Sequence, residues 1–441
     1  MGRPRVLIVA EAANPDWVSV PLVGWSLARA LGEVADTHLV TQVRNRDAIL
    51  ATGMAEGRDV TFIDSEALAR PLWKLGSLLR MGEGKGWTAL QAVSALSYPY
   101  FERLVWRRFG RDIESGRYDI VHRITPLSPT QTGSLARRCK GEGVPFVMGP
   151  MNGGVPWPKE FAAARRQERE WLSYVRGLYR LMPGNRRMID ASAAILAGSR
   201  HTAGEYAERA ADRVIWLPEN GIDPARFDLA PRPAAIEGPP RACFIGRMVP
   251  YKGPDMLMDA AAPLVRDGRL ALDLIGDGPM MEDLRARAAD LGPGVTLHGW
   301  LPHAEVQSVA ARSQVLAFPS VREFGGGVVL EAMAIGLMPM IVDYAGPGEL
   351  VTEANGVKIP MGDRDAIVAG FRAALNAFVE APRAAREKGA AAQAVVRQNF
   401  TWAAKARQVS RVYDHVLGSG AKPDFTEIVK TSEQEARDAA V

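Results

Sequence analysis

Two carboxylates bracket a run of glycines that follows an apolar segment ending near Phe318. Glu323 precedes the run and Glu331 follows it, and the glycines between them are Gly325, Gly326 and Gly327. Glycines let a backbone approach a ligand closely, and the helix predicted to begin near Val328 would offer unpaired N–H groups to a phosphate. Glu331 would then accept hydrogen bonds from the vicinal hydroxyls of a ribose, while Glu323 would face what lies beyond the phosphates. The alternative is structural, a tight turn followed by a carboxylate that complements the helix dipole.

A second loop carries two cations. The segment GRMVPYKG spans residues 246–253 and directly follows the strand-like run ACFI. Arg247 and Lys252 would project from a strand-to-helix loop at the carboxyl edge of a parallel sheet, where open α/β folds bind ligands. Two cations at that place would neutralise a diphosphate leaving group. IGDGP at 275–279 adds another strand end on the same edge. The alternative for Arg247 and Lys252 is a solvated basic loop.

The elements that position these loops are short apolar runs alternating with helical stretches. Such runs occupy 5–10, 118–124, 144–149 and 193–199, and after Pro218 they begin again at 241–247, 270–278, 295–300, 313–320 and 337–343. This alternation predicts parallel sheets with helices on both faces, in two doubly wound domains. We predict domains at 1–217 and 218–399, an amphipathic closing helix at 400–418, and a loose polar tail at 419–441.

Five motifs in order carry a family resemblance. They are NGID at 220–223, GRMVPYKG at 246–253, IGDGP at 275–279, HGWLP at 298–302 and the E-x7-E pair of Glu323 and Glu331. In these motifs the chain resembles the retaining enzymes of glycosyltransferase family 4. The resemblance implies the GT-B fold, in which two Rossmann-like domains face each other, the second holds most of the donor, and the last helix crosses back to the first. It also implies a nucleotide diphosphate sugar as co-substrate, with no cofactor.

The resemblance assigns roles to particular residues. It implies that Arg247 and Lys252 bind the donor diphosphate, that Glu331 binds the ribose and that Glu323 contacts the transferred sugar. The donor site would be completed by strand-end and loop residues, namely Gly246, Gly276, His298, Gly299, Leu301, Gly325, Gly326, Gly327 and Val328. Departure of a nucleoside diphosphate leaves positive charge on the anomeric carbon, so both that charge and the phosphate anion need stabilisation. The family retains anomeric configuration by same-face attack, without a protein nucleophile.

The sequence predicts no metal site. Asp363 and Asp365 formally match the D-x-D of metal-dependent glycosyltransferases, but they open a helical stretch, so helix capping explains them better.

The first domain departs from the family pattern. Many relatives carry a Gly-Gly loop after the first strand, where this chain has EAANPDWVSVPLVGW with only Gly24. Relatives often have a second histidine two residues after the position of His122, and this chain has Ile124 there. His122 is therefore either a catalytic histidine or a satisfied histidine within a strand. Asn152, Gly153 and Gly154 are predicted either to bring backbone donors to the acceptor side or to form a plain turn.

Charge is unevenly distributed over a chain with a net charge of +4. Residues 1–217 hold 30 Lys+Arg against 22 Asp+Glu, and the rest hold 24 against 28. Within the basic half, residues 70–111 interleave arginines and lysines with aromatic side chains. Two interpretations stand: a surface that grips an anionic bilayer or lipid acceptor, or a buried helical hairpin with a solvated basic face. Nucleic acid is not predicted, because no module that binds it accompanies the charge.

The remaining signals concern location and competing functions. No signal peptide or membrane span is apparent, and Cys139 and Cys243 lie far apart without metal-ligand spacing, so we expect a cytoplasmic protein with reduced thiols. It would associate peripherally with the inner membrane face. The leading hypothesis is transfer of a sugar to a hydroxyl of a glycan or lipid acceptor in cell-envelope polysaccharide, lipopolysaccharide or glycolipid synthesis. The alternatives are an epimerase or phosphorylase of the same fold, or a catalytically silent protein that binds nucleotide sugars.

Overall fold

The chain forms two compact units in the computed structural model, which describes residues 2–67, 87–161, 183–227 and 238–430. The first unit comprises Met1–Gly154, Arg165–Glu219 and Trp402–Phe425, and the second comprises Val155–Ala164, Asn220–Thr401 and Thr426–Val441. The chain passes between them at Glu219–Asn220, two residues after the predicted boundary. The prediction that all of 1–217 forms one domain is wrong for the described residues 155–161, which belong to the second unit.

The first unit is built on a parallel sheet of seven strands in the order β3-β2-β1-β4-β5-β6-β7. Its central strands are buried on both faces, so they appear in the sequence as continuous apolar runs. The elements, in chain order, are β1 Arg5–Ala10, α1 Val20–Leu31, β2 Asp36–Gln42, α2 Arg46–Leu50, β3 Val60–Ile63, α3 Trp87–Glu114, β4 Ile120–Thr125, α4 Leu135–Gly141, β5 Phe146–Met151, α5 Pro183–Ala191, β6 Ala194–Ala197, α6 Arg200–Ala210 and β7 Val214–Trp216.

The second unit repeats this architecture with six parallel strands in the order β10-β9-β8-β11-β12-β13. Its elements are β8 Arg241–Ile245, α7 Pro254–Arg266, β9 Ala271–Ile275, α8 Met281–Leu291, β10 Val295–Gly299, α9 His303–Ala310, β11 Val315–Phe318, α10 Gly327–Ala334, β12 Met338–Val342, α11 Ala345–Leu350, β13 Val357–Ile359, α12 Arg364–Glu380 and α13 Pro382–Val395. In both sheets the strand order reverses direction beside the first strand, which is the switch point of a doubly wound fold. The predicted fold class, α/β with two doubly wound parallel sheets, is confirmed.

Helix α3 shows how the basic and aromatic region is used. Tyr98, Phe101 and Phe109 are buried in the core of the first unit, while the arginines of the same stretch are exposed: Arg103, Arg107, Arg108 and Arg111. The described part of this region is therefore a core helix with a solvated basic face, and contact of that face with a membrane stays a prediction. Residues 70–86 and the side chains of 87–96 lie outside the described residues.

The chain closes with helix α14, Trp402–Val416, which belongs to the first unit and packs against α1. The prediction of a loose tail after it is wrong for the described residues 419–430. Phe425 is only 2% exposed, with the guanidinium of Arg411 5.1 Å from its ring centre. Val429 is also buried, and its carbonyl accepts a hydrogen bond from Asn355. Two isolated apolar residues create no periodicity, so the sequence did not reveal their packing. Residues 431–441 lie outside the described part.

Candidate active site

The carboxyl edge of the second sheet brings the predicted donor loops together. Strands β9, β8 and β11 are neighbours, so the loops that follow Ile275, Ile245 and Phe318 share one edge. The N–H of Gly246 donates to the carbonyl of Ile275 at 3.0 Å. A Cβ on Gly276 would lie 1.9 Å from the carbonyl oxygen of Gly246, and φ of Gly276 is +133°. Only glycine allows this approach, which holds the two loops against each other.

Lys252 and Glu323 form an ion pair at this edge, 71 residues apart in sequence. Their side chains are 15% and 20% exposed, and the Lys252 ammonium lies 5.1 Å from the ring centre of Phe318. Arg247, on the same loop as Lys252, is exposed. The structure therefore places a partly buried cation next to a carboxylate, with an exposed cation on the same loop as Lys252.

The glycine loop leads into helix α10, which begins at Gly327, one residue before the predicted start. Gly326 caps it in the left-handed conformation, with φ +62°. The first intrahelical bond comes from the N–H of Val329, so the N–H groups of Gly327 and Val328 precede the helical ladder. The side-chain amide of Asn220, in the NGID motif, donates to the carbonyl of Gly325 at 2.9 Å. That bond fixes the loop that would approach a phosphate.

Glu331 lies one turn into α10 and pairs with His303 of α9, with 3.3 Å between Oε1 and Nε2. The hydrogen bond to Glu331 raises the pKa of His303 above its usual 6.5. The Glu331 side chain is 36% exposed, so one of its oxygens remains available to a ligand hydroxyl. Sequence reasoning missed His303, which orients the carboxylate predicted to bind ribose.

The Glu331→Gln variant is expected to lower the pKa of His303. The carboxylate stabilises the protonated imidazole. The pair's contribution to the free energy of unfolding is therefore fully present below pH 6.5 and is lost as pH rises through the raised pKa of His303. Because both groups are half-exposed, we expect no more than about 0.5 kcal/mol. The chain has six histidines, so histidine-labelled NMR titration of wild type and variant resolves the shift. If the pKa of His303 is the same in both proteins, Glu331 and His303 do not form the pair.

His298 was predicted to border the base, and its side chain is engaged elsewhere. Its Nε2 lies 2.8 Å from Oδ1 of Asp273, whose other oxygen accepts from Arg241 at 2.8 Å. Asp273 is 3% exposed, so this chain of three side chains spans strands β8, β9 and β10 within the unit. The contact with Asp273 engages one ring nitrogen of His298, and its place in the donor site stays a prediction. Gly299 and Leu301 remain at the sheet edge, where the carbonyl of Gly299 accepts from the N–H of Gly276.

His122, in β4 of the first unit, was a candidate catalytic residue, and the structure contradicts that role. Its side chain is fully buried. Nε2 donates to the carbonyl of Gly149 at 2.8 Å, so Nδ1 accepts from the hydroxyl of Tyr413 at 2.7 Å. Burial lowers the pKa of His122 to about 4. Both ring nitrogens are occupied and the imidazole is neutral, so His122 is a satisfied histidine within a strand.

The polar groups of the predicted acceptor-side turn, Asn152–Gly154, have hydrogen-bond partners within the first unit. The N–H of Gly153 donates to Oγ1 of Thr202, and the N–H of Gly154 donates to Oδ1 of Asn152, each at 3.0 Å. The amide of Asn152 donates to both carboxylate oxygens of Glu219, at 2.9 and 2.8 Å. These groups are not open donors, and the plain-turn interpretation is the correct one.

Other expectations concern metals and membranes. Asp363 caps α12 by accepting from the N–H of Ala366 at 2.9 Å, as the capping interpretation predicts. Within the described ranges, no group of three or more His, Cys, Asp or Glu residues is placed to hold a metal ion. Among the helices described, none has the length and apolarity needed to cross a bilayer.

Two doubly wound sheets, with a cation–carboxylate pair beside a glycine loop at one carboxyl edge, define the class of GT-B glycosyltransferase folds. The catalytic domain of starch synthase IV from Arabidopsis thaliana, solved with ADP and acarbose, shares this fold with a TM-score of 0.62 at 14% identity, over 95% of this chain and all of that one. Residues 239–377 match the model of glycosyl transferases group 1.

Curated relatives match this chain over only part of their length. A 2-deoxystreptamine glucosyltransferase of Streptomyces kanamyceticus is 31% identical over 193 residues, covering 37% of this chain and 49% of the relative. A phosphatidyl-myo-inositol mannosyltransferase of Mycobacterium tuberculosis is 31% identical over 211 residues, covering 46% and 54%. The chain therefore spans about half the length of these relatives.

Proposed function

We propose that this protein is a retaining glycosyltransferase of family 4 that moves a sugar from a nucleotide diphosphate sugar to an acceptor hydroxyl. The observation that supports it best is the Lys252–Glu323 pair beside the N-terminus of α10, inside the stretch that matches the model of glycosyl transferases group 1. An exposed Arg247 and a half-exposed Glu331 complete a set of groups suited to such a donor.

Each group has a task in the proposed reaction. Breaking the anomeric bond leaves one additional negative charge on the departing diphosphate, and Arg247, Lys252 and the N–H groups of Gly327 and Val328 stabilise it. Lys252 exchanges its carboxylate partner for phosphate oxygens when the donor binds, which frees Glu323 to accept hydroxyls of the sugar. Glu331, oriented by His303, accepts the ribose hydroxyls.

The chemistry needs no protein nucleophile. The acceptor hydroxyl attacks from the face on which the diphosphate leaves, and the leaving phosphate takes its proton, so configuration is retained. This mechanism requires neither a cofactor nor a metal, since cationic side chains and a helix N-terminus supply the positive charge. It also does not use His122, which is buried and neutral.

The proposed acceptor is a glycan or a lipid-linked hydroxyl in cell-envelope polysaccharide, lipopolysaccharide or glycolipid synthesis. The name of the mannosyltransferase relative refers to a lipid substrate, phosphatidyl-myo-inositol. The exposed basic face of α3, formed by Arg103, Arg107, Arg108 and Arg111, supports contact with an anionic membrane surface. The protein would then act in the cytoplasm at the inner membrane face, without nucleic acid as a partner.

The test starts with donor binding. The thermal midpoint of the purified protein is measured with UDP, ADP and GDP and with their sugars, because a ligand that binds only the folded state raises the midpoint. We expect one nucleoside diphosphate and at least one of its sugars to do so. Incubating that sugar nucleotide with a glycan and glycolipid panel should then give a product whose anomeric configuration, read by NMR, is that of the donor.

The alternatives give different products. A phosphorylase would release sugar phosphate only when inorganic phosphate is added, and an epimerase would change the sugar while it stays on the nucleotide. A silent binding protein would show the midpoint shift without turnover of any kind. Failure of every nucleotide to shift the midpoint would overturn the proposed donor site.

A further inference from the structure

The segment 155–161, here called the strap, leaves the first unit after the Asn152–Gly154 turn and packs in the second unit. Its Val155 and Pro158 are buried, while Trp157 is half-buried. The hydroxyl of Tyr344 donates to the carbonyl of Pro156 at 2.6 Å. Burial raises the pKa of Tyr344 above its usual 10, so this donor keeps its proton at physiological pH. The strap is thus held to the second unit by packing and by a hydrogen bond.

Trp157 contacts two groups that neighbour the candidate donor residues. Its ring lies 5.8 Å from that of Tyr251, at 82°, a favourable edge-to-face arrangement. The guanidinium of Arg322 lies 4.8 Å from the centre of Trp157 and 5.4 Å from that of Phe324. Arg322 is only 8% exposed, and a cation desolvated between two rings is held more strongly than one at the surface.

Tyr251 and Arg322 each stand one peptide bond from a member of the ion pair. Tyr251 precedes Lys252, and Arg322 precedes Glu323. The two segments are joined by a backbone bond from the N–H of Val321 to the carbonyl of Tyr251, at 2.9 Å. A shift of the Trp157 ring would therefore be transmitted directly to Lys252 and Glu323.

The two members of the ion pair depend on the strap to different degrees. Lys252 lies in a short helical turn, Pro250–Lys252, with its N–H bonded to the carbonyl of Val249. Glu323 lies in a loop outside helices and strands. Loss of the Trp157 ring should therefore move Glu323 more than Lys252.

We propose that Trp157 is a positioning residue for the sugar part of the donor site: it holds Arg322 and thereby fixes Glu323 against the transferred sugar. This inference rests on the proposed function. It makes the strap a determinant of how fast a bound nucleotide sugar reacts. Because a misplaced contact lowers turnover more than binding of the remote part of a substrate, the effect belongs to kcat rather than to nucleotide affinity.

Trp157→Ala is expected to leave the Kd for the stabilising nucleoside diphosphate within about threefold and to lower kcat about tenfold. Trp157→Phe keeps a ring and should restore most of the lost turnover. Arg322→Ala should have the same kcat effect, and the double variant should be little worse than Arg322→Ala alone, because contacting residues are not additive. Fully multiplicative effects would show that Trp157 does not act through Arg322.

Arg200→Ala provides the matched control. Arg200 lies 4.6 Å from the ring centre of Trp216 in the first unit, so its loss removes the same kind of contact elsewhere. Its kcat and nucleotide Kd should equal those of wild type. An equal fall in kcat for Arg200→Ala would identify general destabilisation as the cause and overturn the positioning role.

Hydrogen–deuterium exchange without nucleotide tests whether Trp157 of the strap fixes the loop that carries Glu323. In Trp157→Ala, amides of 321–326 should exchange faster, while those of β8 should be unchanged. If wild type binds no nucleotide but this exchange pattern appears, the proposed function fails and the fixing of the loop by Trp157 stands. If nucleotide binds and neither exchange nor kcat changes in Trp157→Ala, the positioning role is overturned and the proposed function stands.

Discussion

Lys252→Met is expected to lower kcat/KM for sugar transfer about 10²- to 10³-fold and to abolish the rise in thermal midpoint caused by the nucleoside diphosphate. A fall of this size is expected when one group that stabilises charge on a leaving group is removed from a largely dehydrated site. Lys252 is 15% exposed and already faces a carboxylate, so its charge is held in place before the donor arrives. Isothermal titration with the nucleotide and initial rates with its sugar measure the two effects separately.

Glu323→Gln separates the two members of the pair. The amide cannot neutralise Lys252, so affinity for the nucleoside diphosphate should be kept or rise, while kcat for transfer falls about 10²-fold.

Lys388→Met is the matched control for Lys252→Met, because Lys388 is a part-buried lysine of the same unit that donates to the carbonyl of Gly356 at 3.0 Å. Equal losses in the Lys252 and Lys388 variants would show that the diphosphate assignment is wrong.

The loops of the second unit were predictable from sequence because its strands are buried on both faces. Runs such as ACFI and VLAF, at 242–245 and 315–318, are continuously apolar, and parallel strands place their following loops on one edge. That argument alone brought Lys252 and Glu323 to one region. It did not predict their ion pair, since partner choice depends on how the chain folds between two residues 71 positions apart.

Elements without such a pattern were missed. Strand β2, DTHLVTQ, starts exposed and only its last four residues are buried, while β7 has three residues. The strap contains prolines and one aromatic side chain, and its place in the second unit follows from tertiary contacts of Trp157 and Pro156. Motif reasoning also could not predict hydrogen bonds between distant residues, such as those of the His298 and Asn152 side chains.

His122 shows why residue type is a weak guide to role inside a buried strand. All six residues of β4 are buried, so no face of the strand is open to a substrate. The histidine is accommodated because a carbonyl and a phenol satisfy its two nitrogens. If the ring became charged, Nδ1 would carry a proton and could no longer accept from Tyr413, and the buried charge would lack solvation, so protonation should destabilise the first unit.

The destabilisation by His122→Asn is expected to be about 2 to 3 kcal/mol smaller at pH 4.5 than at pH 7. The folded pKa is about 4 against 6.5 in the unfolded chain, so the unfolded state binds the proton first. Stability from this group is therefore present above pH 6.5 and is lost as pH falls toward 4, whereas the variant has nothing to protonate. Denaturant unfolding of both proteins at the two pH values gives the difference.

Tyr413→Phe is the matched variant for this experiment. It removes the bond to Nδ1 but keeps the buried imidazole, and since burial is the main cause of the low pKa, most of the pH dependence should survive. A penalty for His122→Asn that is the same at both pH values would mean that the ring is not held neutral. At neutral pH the folded His122→Asn protein should still transfer sugar, because a histidine with both nitrogens occupied inside the core has none left to offer a substrate.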